Sequence, residues 1–251
     1  MDPQKDKSLE LGDDLYKEAV RERLCLDNYT SSLLTGVRLE CTVCNREVAT
    51  EDTRHHVQGC IGGQGERVLR HNQVRNILQK MFRTMGMDGV EVEKTIQCEK
   101  TNDSRRADVF FYTKEGKQMW IDNAVGSASV QMALDEGSDE RALVRARLFH
   151  EAKMAYWGLG FEERQLETHF QPLVFEATGR CGVETDLFFT QLIAQSDDPK
   201  QTAEKIKWCK YRIATAIIRS NAKQAIAARR KNVTFRTAID RDSLHVAPER
   251  E

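Results

Sequence analysis

The chain has 251 residues, 38 lysines and arginines against 39 aspartates and glutamates, and a formal net charge of −1 at pH 7. Forty per cent hydrophobic content supports a sizeable core, and no apolar run approaches the roughly 20 residues of a membrane span, so no membrane association is expected. Seven cysteines, with a polar N-terminus that lacks the apolar core of a signal peptide, predict reduced thiols, metal ligands or buried side chains rather than a disulfide framework.

Residues 1–40 read as a helical connector, with Leu9, Leu11, Leu15, Ala19 and Val20 at helical spacing and a loop from Tyr29 to Arg38. Residues 41–62 differ. Cys41-x2-Cys44 is followed by His55, His56 and Cys60, which gives four borderline-to-soft ligands within about 20 residues, the requirement of a tetrahedral zinc. Four protein ligands leave no position for water, so this zinc is expected to be structural, with His55 and His56 both fitting the spacing. Gly62-Gly63-Gln64-Gly65 reads as a linker; no Gly-Lys-Ser/Thr follows to make a phosphate loop.

The apolar spacing Val68, Leu69, Val74, Ile77, Leu78, Met81, Phe82, Met85 predicts a helix from Glu66 that Gly86 stops. Val90 to Ile96 alternates as a strand. Arg105 to Tyr112 and Met119 to Val125 are β-branched and aromatic runs around Lys114-Glu115-Gly116-Lys117, a hairpin signature. A turn centred on Glu115 brings Asp108 and Asp122 opposite each other, with Cβ atoms roughly 4.5–5.5 Å apart. Two carboxylates at that distance repel unless a cation lies between them, which makes the pair a candidate site for a divalent metal.

After a loop from Gly126 to Ser138, a helix is predicted from about Glu140 to Trp157, carrying Arg141, Arg145, Arg147, Lys153 and Tyr156. Phe170 to Ala177 reads as a strand beside a proline, Thr178 to Gly182 as a turn and Glu184 to Gln195 as a short apolar helix. A long helix spans about Lys200 to Lys231. Between Lys200 and Arg236 there are eleven lysines and arginines against one acid, Glu204, an electrostatic footprint for phosphates. Residues 236–251 read as a disordered tail. The order of elements predicts an α/β core, a small mixed sheet flanked by helices.

Carboxylates on adjacent central strands with a lysine delivered nearby suit metal-dependent phosphodiester hydrolysis, and oxygen ligands suit Mg²⁺ or Mn²⁺. The ordered set Arg106-Ala107-Asp108, thirteen residues, Asp122 resembles the motif of the PD-(D/E)XK nuclease superfamily. With the upstream C-x2-C…H…C knuckle, Arg70-His71-Asn72 on a helix, the downstream Lys153 and Tyr156, and Pro172-Leu173-Val174-Phe175-Glu176…Gly179, it resembles most the restriction-enzyme-like endonuclease domain of site-specific non-LTR retrotransposons. The resemblance covers about residues 41–225. It implies a restriction-endonuclease-like domain over residues 63–235, behind a zinc knuckle, that nicks target DNA to expose a 3′-hydroxyl for reverse transcription.

By that resemblance Asp108 and Asp122 bind the catalytic Mg²⁺ (or Mn²⁺), and Lys153 replaces the lysine that other members carry two residues after the second acid, where this chain has Ala124. Glu93, and after it Glu66, can complete the metal shell, while Tyr156 assists the substrate phosphate. Arg70, His71, Arg106, Arg145, Lys207, Lys210 and Arg212 are the implied nucleic-acid contacts. The implied partners are target DNA, element RNA and the other domains of a reverse-transcriptase polyprotein, although these residues contain no Tyr-x-Asp-Asp motif; the implied location is nuclear. The competing expectation is a catalytically inactive zinc-knuckle module that binds nucleic acid on a nuclease-like fold.

Overall fold

The computed structural model describes residues 10–23, 38–41, 44–49, 56, 60, 64–126, 143–230 and 235–237. They form two compact units: residues 1–10 with 69–218, and residues 11–68 with 219–251. Among the described residues no helix is long and apolar enough to cross a membrane.

The larger unit is built on four strands, β3 (Asp88–Gln97), β4 (Ser104–Tyr112), β5 (Gln118–Gly126) and β6 (Phe170–Glu176), in the order β3-β4-β5-β6. The first three pair antiparallel and β6 joins β5 in parallel, so the sheet is mixed. A parallel neighbour needs a crossover. It runs through residues 127–142, outside the described residues, then α3 (Val144–Gly158) and α4 (Glu163–His169), using the numbering in which α1 is Asp13–Arg23 and α2 is Gln64–Thr84. After β6 come α5 (Val183–Ala194) and the long α6 (Pro199–Arg230). The predicted strand beside Pro172 is the edge strand β6, where a missing ladder donor is tolerated.

Alternation along the strands puts an apolar layer on both faces. Val109, Phe111, Ile121, Leu173 and Phe175 pack with Val74, Leu78 and Phe82 of α2, Phe188 and Phe189 of α5, and Ile213 and Ile217 of α6. Phe110, Trp120 and Phe170 pack with Trp157 of α3 and with Phe161 and Leu166 around α4. The carboxylates therefore sit in a sheet sandwiched between helices, the expected layer arrangement.

The hairpin has the register the turn requires: Val109 pairs with Ile121, Phe110 with Trp120 and Phe111 with Met119, all centred on Glu115. Gly116 takes a left-handed φ of +77°, which glycine adopts without penalty, and its N–H donates to the Thr113 carbonyl at 2.9 Å. Helix α2 ends at Thr84 and Gly86 follows at φ +79°, the stop that its position predicted. Two features were not foreseen. Helix α4 is short and carries one buried apolar residue, Leu166, too little periodicity to announce itself. Residues Phe235–Thr237, at the start of the supposed tail, form strand β7 instead.

That strand belongs to the smaller unit, where β1 (Arg38–Cys41) lies between β2 (Glu47–Ala49) and β7. Leu39 pairs with Val48 on one side and with Thr237 on the other. The pairing gives the edge of β1 a backbone partner and corrects the expectation of disorder from residue 236. Residues 238–251 lie outside the described residues.

Candidate functional site

Glu93, Asp108 and Asp122 share one row of the larger sheet. Val92 pairs with Val109 and Lys94 with Ala107, which sets Glu93 across from Asp108; Asp108 and Asp122 lie one step beyond the Val109–Ile121 pair. Like charges on adjacent strands repel. Here each carboxylate has its own nitrogen donors. Arg75 and Arg106 bind Glu93, the latter at 3.6 Å. His71 pairs with Asp108 at 2.9 Å, and Lys153 with Asp122 at 2.6 Å. The row is also where the strand is irregular: Glu93 has a left-handed φ of +54°, rare for a residue with a long side chain.

Asp108 accepts three hydrogen bonds. His71 Nε2 donates to Oδ1, while the Asn123 backbone N–H and side-chain Nδ2 donate to Oδ2 at 2.7 and 2.8 Å. Asp122 accepts from Lys153 Nζ at Oδ1 and from the Trp157 indole N–H at Oδ2, the latter at 3.2 Å. Lys153 and Trp157 are four residues apart on α3, the spacing that puts both on one face of a helix. Burial raises the Asp108 pKa, but the His71 hydrogen bond and charge outweigh it, so Asp108 stays below the ordinary aspartate value. Burial also raises Asp122; Lys153 opposes, the Asp108 charge adds to the rise, and Asp122 ends above its ordinary value. The pair thus has one firmly ionised member and one that binds a proton more readily, the behaviour of two carboxylates sharing a site.

The other sequence candidates fall in three places. Glu93 is directed at two guanidiniums, and neither aspartate is bridged to it by Lys153, whose ion-pair partner is Asp122. Tyr156 is 55% exposed, with its ring under the Arg105 guanidinium at 3.8 Å, and Arg105 donates to the Tyr156 carbonyl. The residue of that turn which reaches the aspartates is Trp157. Glu66 lies at the start of α2, where its carbonyl accepts from Ser220 at 3.2 Å. Sequence reading missed Asn123 and Trp157 and gave His71 a different role. A tryptophan in a helical apolar pattern signals core, and Trp157, 1% exposed, is core as well as donor.

Of the implied nucleic-acid contacts, Arg70 is buried and partnered within the fold, and His71 is engaged by Asp108. Arg106 is exposed beside Glu93, and Arg145 stacks on Phe149 at 4.1 Å. Lys210 turns back to Asp186 at 2.6 Å and lies over the Phe189 ring. Lys207 and Arg212 line a cleft between α2 and α6.

In the smaller unit the ligand atoms of Cys41, Cys44, His56 and Cys60 all lie within 4.8 Å of one another. Cys41 Sγ is 3.9 Å from Cys60 Sγ, and Cys44 Sγ is 3.3 Å from His56 Nε2. A disulfide would bring two sulfurs to about 2.05 Å. A metal with bonds of about 2.3 Å to sulfur and 2.0 Å to nitrogen separates tetrahedral ligands by about 3.5–3.8 Å, so this cluster is of a size to hold one. The turn that folds the C-x2-C pair is closed by the Asn45 N–H donating to the Cys41 carbonyl at 2.8 Å, with Asn45 at φ +55°. Asparagine is among the residues that tolerate this conformation. Burial, helped by the charge of Arg46, holds the His56 pKa below its usual value, which favours the neutral imidazole a metal needs. His56, four residues before Cys60 (H-x3-C), is the histidine in the cluster; His55 lies outside the described residues.

No protein-family model matches the chain, and no curated protein matches it.

Proposed function

We propose that this chain is a metal-dependent DNA endonuclease of the kind its motifs resemble: a restriction-enzyme-like domain that nicks target DNA by phosphodiester hydrolysis and leaves a 3′-hydroxyl to prime reverse transcription. One observation carries the reading. Asp108 and Asp122 meet on adjacent strands, and Lys153, from a helix thirty residues downstream, donates to Asp122 at 2.6 Å. A surface hairpin needs none of these contacts.

The donor set fits a hard divalent cation. An ionised carboxylate has room for about four hydrogen bonds or metal bonds; Asp108 accepts three and Asp122 two. When bound, Mg²⁺ or Mn²⁺ polarises the scissile phosphate and lowers the pKa of a bound water. The chain's own residues do the rest. His71 and Asn123 orient Asp108, and His71 keeps it ionised. Lys153 has three donors, of which one serves Asp122; the remaining two are available to a phosphate oxygen, where they stabilise charge that develops during hydrolysis. Structural Zn²⁺ on Cys41, Cys44, His56 and Cys60, DNA as partner and a nuclear location belong to the same proposal.

A second reading has its own observation. All four oxygens of the two aspartates already accept a protein donor, so a chain that merely binds nucleic acid would also keep this network. Plasmid nicking with Mg²⁺ separates the two. The native chain is expected to convert supercoiled plasmid to open circles, and Asp108→Ala and Asp122→Ala to abolish conversion. No nicking by the native chain favours the binding module; nicking by both variants removes the metal site.

A further inference from the structure

On the far side of α2 from the aspartates lies a cleft of about 570 Å³, lined by residues of α2 and α6. Lys80, which lines it, is nine residues after His71 on the same helix. At 1.5 Å and 100° per residue that is about 13 Å along the axis and half a turn round it, so the helix itself separates cleft from carboxylates. Ile77 and Met81 supply apolar floor, and Trp208 and Tyr211, three residues apart on one face of α6, supply two aromatic rings. Tyr211 is 47% exposed although it is a large aromatic, and Trp208 is half-buried.

The rim is one-sided in charge. Lys80, Lys205, Lys207 and Arg212 line the cleft against a single acid, Glu204. Lys205 donates to the Thr84 carbonyl at 2.8 Å, which ties down its ammonium. Among the described residues no acidic side chain forms an ion pair with Lys80, Lys207 or Arg212. Apolar rings with unneutralised cations around them suit a ligand that carries flat faces and negative charge together. The volume is that of a site for one or two such units.

We propose that this cleft binds a short run of single-stranded nucleic acid, with bases stacked on Trp208 and Tyr211 and phosphates on Lys80, Lys207 and Arg212. The inference rests on the nucleic-acid reading above and adds a second contact, away from the cleavage site, for a displaced or templating strand. Stacking on aromatic rings is sequence-tolerant, because every base has a π-face, so the cleft discriminates strandedness rather than sequence. An acidic amphipathic helix of a protein partner would use the same cations but would not stack, and it is an outcome of the test.

The chain has three tryptophans. Trp120 and Trp157 are buried, so Trp208 is the one a ligand can reach. Titration of the full chain with oligothymidylate of about eight nucleotides, without added divalent cation, is expected to quench tryptophan fluorescence. A blunt duplex of the same length should quench far less. Trp208→Phe should bind, as read by anisotropy of a labelled oligonucleotide, without the quench. Tyr211→Ala should weaken binding roughly tenfold, in line with the loss of one stacked base. Lys207→Gln should flatten the log–log salt dependence of the affinity by about 0.7. Equal affinity for single strand and duplex, no quench, or a Tyr211→Ala chain that folds by circular dichroism and binds as tightly as the parent would overturn the proposal. The readout involves no cleavage. A chain that quenches and never nicks keeps the cleft and loses the nuclease; one that nicks without quenching does the reverse.

Discussion

Lys153 and Trp157 share the task of holding Asp122, and they are not equivalent. The indole N–H fixes one carboxylate oxygen by a neutral hydrogen bond, typically a contribution of about 1 kcal/mol. In the proposed hydrolysis the ammonium would supply charge where charge develops, and removal of such a donor typically costs 10²- to 10³-fold in rate. Lys153→Met is therefore expected to lower nicking by roughly that factor while the fold persists, and to move the Asp122 pKa further up, since the lysine is what opposes burial there. Carbon-detected NMR titration of the aspartates reads the second effect independently of activity; an unchanged Asp122 titration would remove the pairing. Trp157→Phe should keep most activity and lose stability. A second titratable group acts on the fold alone. His150 on α3 has a buried Nδ1 with no hydrogen-bond partner among the described residues, and burial lowers its pKa from 6.5 against the opposing charges of Glu184 and Glu151. The unfolded chain then binds the proton more readily. Stability is complete above about pH 6.5 and falls as pH drops through the lower folded pKa. Urea midpoints of the parent and of His150→Phe, compared from pH 8 to pH 5, should show the parent falling relative to the variant as the pH drops below about 6.5; a constant difference would remove the effect.

At the scale of elements, the turn after β6 shows how close approach constrains sequence. Gly179 has φ +85°, and a Cβ there would lie 2.7 Å from Ala214 Cα on α6. Gly116 in the hairpin turn has nearly the same φ, +77°, and open space around it. Alanine at either position meets the left-handed penalty of about 1–2 kcal/mol. Only Gly179→Ala also forces the β6 turn away from α6, so its denaturant midpoint should fall well below that of Gly116→Ala; equal losses would mean that the contact yields freely. The same contrast explains what the sequence disclosed. The Asp108–Asp122 hairpin was legible because period-two alternation and a short turn fix register locally. Helix α2 was legible because Val74, Ile77, Leu78, Met81 and Phe82 repeat one apolar stripe and Gly86 follows its last turn, although Val68 and Leu69, read into the same stripe, are each 52% exposed. The partners were not. His71 meets Asp108 across 37 residues of chain, and nothing local distinguishes it from a surface histidine. Arg75 and Arg106 turn Glu93 outward only after α2 docks beside β3. Three residues at Phe235–Thr237 are too few to carry any periodicity, so a strand defined wholly by its partner β1 was invisible.

For the whole molecule, charge and metal decide more than core size does. A net charge of −1 gives no general attraction to DNA, so the proposed binding would have to come from where the cations are placed, on α6 and around the cleft beside it, rather than from the total. The smaller unit poses a different problem. Its sheet has strands of three and four residues, β2, β7 and β1, and strands that short are not independently stable. Their residues include Cys41, fully buried, at the end of the central strand and within the thiol–imidazole cluster. A tetrahedral metal there would join the chain at residues 41, 44, 56 and 60, and in small sites of this type the binding free energy is the folding free energy. The purified chain is therefore expected to contain one zinc. A strong chelator should strip it and collapse amide hydrogen-exchange protection across residues 38–49. Protection across the Asp108–Asp122 hairpin should survive, because the packing of its strands against α2 and α3 involves none of the four ligands. Cys41→Ser should reproduce the effect without chelator. Full protection of residues 38–49 in the metal-free chain would show that the cluster is held by packing alone.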